Sequence, residues 1–518
     1  MAGHLARSLF VTRSQHGLAA APWVFLGVFF VAPVVMTLAI FSDITVLQET
    51  ITNSFFIKIA WFSLWQAMLS VVVTLLIGLP ATWALSRVSF PGSQILRGIL
   101  SAPFVMPAVV VASGVLAVLP ADNNTGLIPI LWAHAMFNIS VVLRIVGPRW
   151  ELLDQRLEHA AATLGAHPMH TFRHIVWPHI KNSTMNAALL IFIYCFTSFG
   201  VIVIVGGFQR RTMEAEIFTQ AIRLGDTSTA TALAVTQIAM IGLVFTIVRT
   251  RSGREISAQH IQRRPPLSST THNRWIVWGA IASAVAVVGL PLVATLWRSI
   301  YSRSTQSFTV SGWESLLDAR LPGMAYSATE VLTNSAMFAL LAALVCVPLS
   351  LAAVVSNNRF LFFVSSLPVV VSAATLGIGL IITFDVDPIA WRSQWWLLPV
   401  VHAVIAFPLT TRTLHPAYTA IPTSLRHSAT VLGASPLRTF FHIEIPIMKS
   451  ALWRATGLSA AVSLGEFGAT SFLSRSGTTT MPIAISQLMG TVGQAPQQAA
   501  FALSATFIIV TIGVMSRA

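Results

Sequence analysis

Charged residues are scarce in this chain of 518 residues. Asp, Glu, Lys and Arg together make up 9% of it, whereas soluble domains carry about a quarter. Lysine occurs only at Lys58, Lys181 and Lys449. None of the three follows the Gly-x-x-x-x-Gly frame of a phosphate-binding P-loop, which excludes an ATPase site of that kind in this chain. Cys195 and Cys346 both fall inside apolar segments, so no disulfide framework is indicated.

Apolar residues dominate instead, at 55% of the chain. Apolar runs of about 20 residues, the length that crosses a bilayer as a helix, recur along nearly the whole sequence. We therefore predict an all-α polytopic membrane protein with about twelve transmembrane helices. They are expected near 21–41, 56–86, 98–119, 127–147, 184–206, 229–249, 275–297, 331–355, 360–384, 395–413, 450–473 and 498–516. The first run is too long for a signal peptide and lacks a small-residue cleavage site, so we expect it to be retained.

Positive charge is distributed unevenly among the connections. If the predicted spans are numbered in order, the connections from an even-numbered to an odd-numbered span lie on the same side as both termini. Of the 31 Lys and Arg residues, 22 lie in or beside these connections and the two termini. Because Lys and Arg accumulate on the cytoplasmic side, both termini are expected in the cytoplasm of a bacterial cell. The formal charge of +14 does not indicate nucleic-acid binding, since the basic residues sit beside spans in short loops.

Two long stretches repeat at a fixed offset of 268 residues. Residues 158–178 align with 426–446, with 11 of 21 positions identical, and the same offset pairs His134 with His402. Since each half holds an even number of spans, the copies are parallel repeats. We predict a first half at 1–248, a cytoplasmic linker at 249–274 and a second half at 275–518, joined into one polypeptide.

The repeated segment follows the fourth span of each half and resembles the EAA loop of binding-protein-dependent ATP-binding-cassette permeases. Loops are expected near 156–178 and 424–446. The matching positions are His159, Ala160, Ala161, Gly165 and Pro178, then His427, Ser428, Ala429, Gly433 and Pro446. In the family, the small residues let a short helix dock into the ATPase, and the glycine permits backbone angles that other residues resist. His replaces the family's Glu in both copies, which removes the basis for a salt bridge from that position.

The resemblance implies a type I importer permease fold and a set of partners. Two loops imply two copies of an ATPase subunit, which binds the ATP and Mg, and an extracytoplasmic protein delivers the substrate. This chain, surrounded by membrane lipid, is then a permease and not an enzyme, with no catalytic residues, no metal site and no cofactor of its own. A secondary transporter built from duplicated halves is the alternative of another class.

Several stretches are similar to fused thiamine permeases, and ferric iron permeases share some of them. They are Trp61–Ser70, Ala133–Asn138, Cys195–Phe199 and Ser463–Gly468. The resemblance implies thiamine or a phosphorylated form as substrate, with ferric iron as the alternative.

Glu466 is the only acidic residue predicted within a span. It could face a cation in the pathway, with Phe467, Ser198 and Phe199 nearby. It could equally hydrogen-bond a neighbouring helix. For His134 and His402, interhelical hydrogen bonding is the expected role.

The charge distribution predicts the location of two reporter proteins. Reporters fused at Arg264 and at Ala518 should both be active in the cytoplasm, because Lys and Arg hold these segments on that side. The measurement is a paired alkaline phosphatase and fluorescent-protein fusion assay. Phosphatase activity at either position would contradict the twelve-span arrangement.

Overall fold

The structure is a computed structural model that describes residues 19–39, 44–120, 125–207, 210–251, 274–386, 388 and 390–515. Most of the predicted linker at 249–274, both chain ends and the two reporter positions lie outside these ranges. The prediction of an all-α protein is confirmed, since the described residues are almost entirely helical.

The first half contains twelve helices within the described residues. They are α1 (Ala19–Ala39), α2 (Ile44–Thr52), α3 (Ser54–Arg87), α4 (Ser93–Ser101), α5 (Ala108–Val118), α6 (Leu127–Glu151), α7 (Gln155–Thr163), α8 (Pro168–Thr171), α9 (Trp177–Phe196), α10 (Gly200–Val205), α11 (Met213–Phe218) and α12 (Thr227–Arg251). A 3₁₀ turn at Ala102–Phe104 follows α4, and π-helical turns at Phe172–Val176 and Thr219–Leu224 follow α8 and α11.

The described part of the second half also contains twelve helices. They are α13 (Arg274–Arg298), α14 (Ser311–Glu314), α15 (Ala328–Val355), α16 (Arg359–Val364), α17 (Ala373–Phe384), α18 (Leu397–Thr419), α19 (Thr423–Val431), α20 (Pro436–Thr439), α21 (Ile445–Gly465), α22 (Gly468–Leu473), α23 (Met481–Gly490) and α24 (Gln494–Met515). Strands β1 (Tyr301–Ser302) and β2 (Ser307–Phe308) form a short antiparallel hairpin between α13 and α14.

Eight helices in the described residues are long and apolar enough to cross a membrane without interruption. Two further predicted spans, 98–119 and 360–384, are each a pair of helical segments bent by 107° and 105°. Pro107 begins the helix after the first bend, and Ser372 caps the helix after the second. Because an abrupt bend needs a local helix break, apolar length alone did not predict it.

The remaining two predicted spans, 184–206 and 450–473, are also interrupted. Helix α9 stops at Phe196 before α10 begins at Gly200, and α21 stops at Gly465 before α22 begins at Gly468. The structure therefore supports eight continuous spans, or ten when each bent pair is counted as one, where the sequence predicted twelve. The two interrupted segments occupy equivalent places in the halves.

The internal repeat is visible in the helix boundaries. Helices α7 and α19 begin at positions 268 residues apart, and so do α8 and α20, α10 and α22, and α11 and α23. A π-helical turn also recurs at this offset, at Phe172–Val176 and Phe440–Glu444. The duplicated architecture is confirmed.

The described residues form two compact units that interleave along the sequence. One comprises those within Met1–Leu47, Gln220–Val235 and Thr329–Ile483, and the other those within Gln48–Thr219, Thr236–Ala328 and Ala484–Ala518. The first helix of each sequence half thus belongs to a unit made mainly from the other half. The boundaries at 248 and 275 stay a prediction about sequence organisation.

Glycine contacts show how these first helices are held. A Cβ on Gly379 of α17 would lie 2.6 Å from the Pro33 carbonyl oxygen of α1. A Cβ on Gly114 of α5 would lie 3.0 Å from the Pro291 carbonyl oxygen of α13. In each unit, a glycine therefore lets the helix after the bend approach the helix that begins the other sequence half. The approach at Gly379 leaves no room for a Cβ, and the approach at Gly114 is tight.

Candidate coupling loops and substrate pathway

The first predicted coupling loop folds as a capped helix followed by a sharp reversal. The Asp154 side chain accepts a hydrogen bond of 2.9 Å from the Arg156 amide and so begins α7. The helix contains His159, Ala160 and Ala161 and ends before Gly165, whose φ is +77°. This left-handed conformation favours glycine, as the sequence predicted. Pro168 then occupies the first turn of α8.

The second loop has the same construction from partly different residues. Helix α19 holds His427, Ser428 and Ala429, and Gly433 follows it with a φ of +80°. The Ala434 amide donates to the Ala429 carbonyl at 2.9 Å, which closes the helix end. The Ser435 hydroxyl accepts from the Arg438 amide at 3.3 Å to begin α20. The loop shape is therefore repeated even though its capping residues differ.

Both loops expose large apolar side chains at their tips. Leu164 is 87% exposed in the first loop, and Val431 and Leu432 are 86% and 85% exposed in the second. His159, Ala160, Pro178, His427, Ser428 and Pro446 are also exposed, whereas Ala161 is half-buried and Ala429 is buried. Exposed apolar patches of this kind are typical of surfaces that contact another protein or a membrane.

Ion pairs hold each loop, and sequence reasoning did not find them. Arg87, the last residue of α3, pairs with Glu158 on α7. In the second half, Arg426 on α19 pairs with Glu444, with 2.6 Å between Nε and Oε1. Glu158 and Arg426 occupy the same repeat position. This reversal of charge between the two copies was the only sign in the sequence that these positions form ion pairs.

Glu466 lies at the break between α21 and α22 and is 8% exposed. Its carboxylate accepts hydrogen bonds from the backbone amides of Ala469 at 2.8 Å and Thr470 at 2.9 Å, and from the Thr470 hydroxyl. These amides are the unpaired donors of the first turn of α22. Glu466 therefore caps this helix within the interrupted span.

His402 on α18 extends this hydrogen-bonded network. Its Nε2 lies 2.9 Å from the Thr470 hydroxyl, and its Nδ1 lies 2.7 Å from the Ser463 hydroxyl. Since Thr470 donates to Glu466, a neutral imidazole with its hydrogen on Nε2 satisfies both contacts. The network joins α18 to both segments of the interrupted span, so the predicted interhelical role of His402 is confirmed.

The corresponding break in the first half lacks a carboxylate, because Ser198 occupies the position of Glu466. Phe199 is buried, with its ring centroid 5.0 Å from that of Phe218. His134 forms an interhelical bond here too, with 2.9 Å between its Nδ1 and the Ser70 hydroxyl. Its Nε2 has no hydrogen-bond partner among the described residues, where Ile202 replaces the second half's Thr470.

Phe467, the neighbour of Glu466, is buried at 6% exposure. All four predicted pathway residues therefore lie at the two breaks, Ser198 and Phe199 at one and Glu466 and Phe467 at the other. Among the described residues, no group of three or more His, Cys, Asp or Glu side chains could hold a metal ion.

The family profile described as "binding-protein-dependent transport system inner membrane component" matches residues 74–307 and 355–517. The chain belongs to this permease family. The first matched segment runs from the first half through the predicted linker into the start of the second half, and the other lies within the second half. Each includes one candidate coupling loop. The chain is thus a multi-span inner-membrane component of a transport system, and its family is one of transport proteins, not enzymes, that work with an ATPase and a binding protein. Family membership also sets aside the secondary transporter interpretation.

Relatives of this permease include two thiamine transport system permease proteins named ThiP. The one from Brucella abortus is 25% identical over 460 residues, which cover 84% of this chain and 82% of the relative. The one from Escherichia coli is 24% identical over 472 residues, covering 85% and 84%. A putative 2-aminoethylphosphonate transport system permease protein from Salmonella typhimurium is 28% identical over 218 residues, covering 40% and 82%.

The capping geometry predicts that Glu466 stabilises the permease. Glu466→Ala should lower its melting temperature in lipid nanodiscs, since a hydrogen bond to a charged group contributes about 1.5–3 kcal/mol. The melting temperature of Glu466→Gln should lie between those of the wild type and Glu466→Ala, because the Gln amide oxygen still accepts a hydrogen bond. Ser198→Ala at the equivalent position is the matched control and should have little effect. An unchanged melting temperature for Glu466→Ala would show that the cap contributes nothing to stability.

Proposed function

We propose that this permease carries thiamine or a phosphorylated form of it across the cytoplasmic membrane. The observation that carries the proposal is the similarity to proteins named as thiamine transport permeases, which extends over more than four-fifths of both chains. The relative named for 2-aminoethylphosphonate matches only 40% of this chain. Similarity across both halves favours the substrate class of the fused relatives.

The two loops provide the mechanism by which ATP hydrolysis drives transport. We propose that each loop docks into one copy of the ATPase subunit, which binds ATP and Mg. The exposed Leu164, Val431 and Leu432 support this proposal, because burial of such side chains in a partner is favourable. On this proposal the loops and both termini lie in the cytoplasm, and the binding protein meets the opposite membrane face.

We propose that substrate passes the two interrupted spans. Non-helical backbone at membrane depth occurs where it is buried in protein or lines a cavity. The breaks place Ser198, Phe199, Glu466 and Phe467 at equivalent positions of the two halves. An anionic carboxylate and aromatic rings suit a cation such as thiamine.

Substrate identity is tested by uptake. Cells that lack other thiamine transporters should accumulate radiolabelled thiamine when they produce this permease with its ATPase and binding protein, and not when the permease alone is omitted. Excess unlabelled thiamine should compete, whereas ferric iron and 2-aminoethylphosphonate should not. Accumulation of labelled ferric iron, with no accumulation of thiamine, would assign the chain to the alternative substrate.

Coupling is tested at the loop glycines. Gly165→Val and Gly433→Val should each reduce uptake and substrate-stimulated ATP hydrolysis, because a β-branched residue at positive φ is strained by about 1–3 kcal/mol. Substitution by Asn at the same positions should reduce uptake and ATP hydrolysis less than substitution by Val, since Asn tolerates this conformation.

Gly457→Val is the control for these glycine variants, because Gly457 lies in α21 with an ordinary φ and nothing lies within 4 Å of where its Cβ would be. It should leave coupling near normal. Normal uptake, hydrolysis and ATPase co-purification in both loop variants would remove the coupling role from these loops.

A further inference from the structure

In the first half, one guanidinium group holds the coupling helix to a membrane span. Arg87 ends α3, and its side chain is only 10% exposed. It donates to the Leu153 carbonyl at 3.1 Å and pairs with the Glu158 carboxylate. A single arginine thus contacts the turn before α7 and α7 itself. Since α3 is a continuous helix from Ser54, Arg87 links α7 to the end of a long membrane span.

The second half uses different residues for this task. The position equivalent to Arg87 is Val355, and the position equivalent to Glu158 is Arg426. The Arg426 guanidinium pairs with Glu444 and lies 4.5 Å from the centre of the Tyr418 ring on α18. Glu444 is 6% exposed and ends the π-helical turn that continues directly into α21.

The coupling helix therefore carries the acidic partner in the first half and the basic partner in the second, and the two ion pairs join it to different spans. In the first half the acidic group is on the coupling helix, and the basic group ends α3. The bent pair α4 and α5 and then α6 lie between α3 and the loop. In the second half the basic group is on the coupling helix, and the acidic group begins the span that follows. In each pair one partner is largely removed from water, Arg87 in the first half and Glu444 in the second. Such a buried charge is sensitive to loss of its partner, since it is then left without compensation.

We propose that Arg87–Glu158 and Arg426–Glu444 are positioning pairs that transmit motion of each coupling helix to the membrane, to α3 in the first half and to α21 in the second. The inference rests on the proposed function of the loops as ATPase contacts. It goes further by assigning the route of transmission and by making that route different in the two halves. Both pairs lie away from the proposed pathway residues along the chain, and we expect them to act through the helices they join.

The route can be tested by charge reversal in the complete transporter with its ATPase and binding protein in nanodiscs. Arg87→Glu, Glu158→Arg, Arg426→Glu and Glu444→Arg should each reduce substrate-stimulated ATP hydrolysis by about fivefold or more, the lower range of coupling between sites. The ATPase should still co-purify, because the exposed apolar tips are unchanged. Melting temperature is measured for each variant to separate loss of coupling from loss of folding.

Double variants identify the pairs. Arg87→Glu with Glu158→Arg should restore stimulation, and so should Arg426→Glu with Glu444→Arg. The cross-half combination Arg87→Glu with Glu444→Arg should not. The single variant Arg87→Lys should retain only part of the substrate-stimulated ATP hydrolysis, since Lys lacks the planar fork that contacts two acceptors.

Two duplicated lysines provide controls of matched charge. Lys181 and Lys449 are exposed, lie at equivalent positions shortly after each loop and take part in neither pair. Lys181→Glu and Lys449→Glu should retain near-normal stimulation. If the single reversals at the pairs behave like these controls, or if the own-half swaps do not restore stimulation in folded protein, the inference is wrong. Failure of the wild-type chain to bind the ATPase would instead overturn the proposed function.

Discussion

A peptide group in a bilayer has no water to bond, and the membrane-spanning part of the permease depends on this constraint. Continuous helices satisfy their own backbone, so apolar length alone places most of them. Each interruption must satisfy its free amides in another way. At the break before α22, Glu466 accepts two of them, and Thr470 and His402 complete the network. The cost of a buried carboxylate is offset by these charge-assisted bonds.

Duplication shows which features the fold requires and which can change. The loop glycines keep positive φ in both copies, since few other residues adopt that conformation. By contrast, His134 bonds Ser70, whereas His402 bonds Ser463 and Thr470. The histidine is common to both halves but its partners are not. Backbone geometry is therefore the stricter constraint, and side-chain contacts have been rebuilt around it.

Sequence reasoning succeeded where the signal is local or repeated. Apolar runs, the offset of 268 residues and the loop glycines each have a direct physical counterpart in the structure. It failed at the two bent spans and the two interrupted ones, because mean hydropathy does not respond to where a helix breaks. The relevant signals were single residues, such as Pro107 and Ser372, which are common elsewhere in the chain.

The packing of α1 and α13, the first helices of the two halves, could not be predicted from the sequence either, because their partners are far away along the chain. Gly114 and Gly379 were two glycines among 30, and nothing local shows that each meets a proline carbonyl from another part of the chain. The same holds for Arg87 and Glu158, which are 71 positions apart. A charge that is reversed between repeats indicates an ion pair only when the partner is known.

Glu466 illustrates why a structural role and a pathway role are compatible. An ionised carboxylate offers about four lone-pair sites, and three donors occupy them here: two amides and the Thr470 hydroxyl. The positive end of the α22 backbone dipole further offsets its charge. These contacts offset much of the carboxylate's charge, so we expect Glu466 to attract a cation on the proposed pathway only weakly. Weak attraction suits passage, since a substrate held tightly at this depth would be released slowly, and strong selection can then be made by the external binding protein.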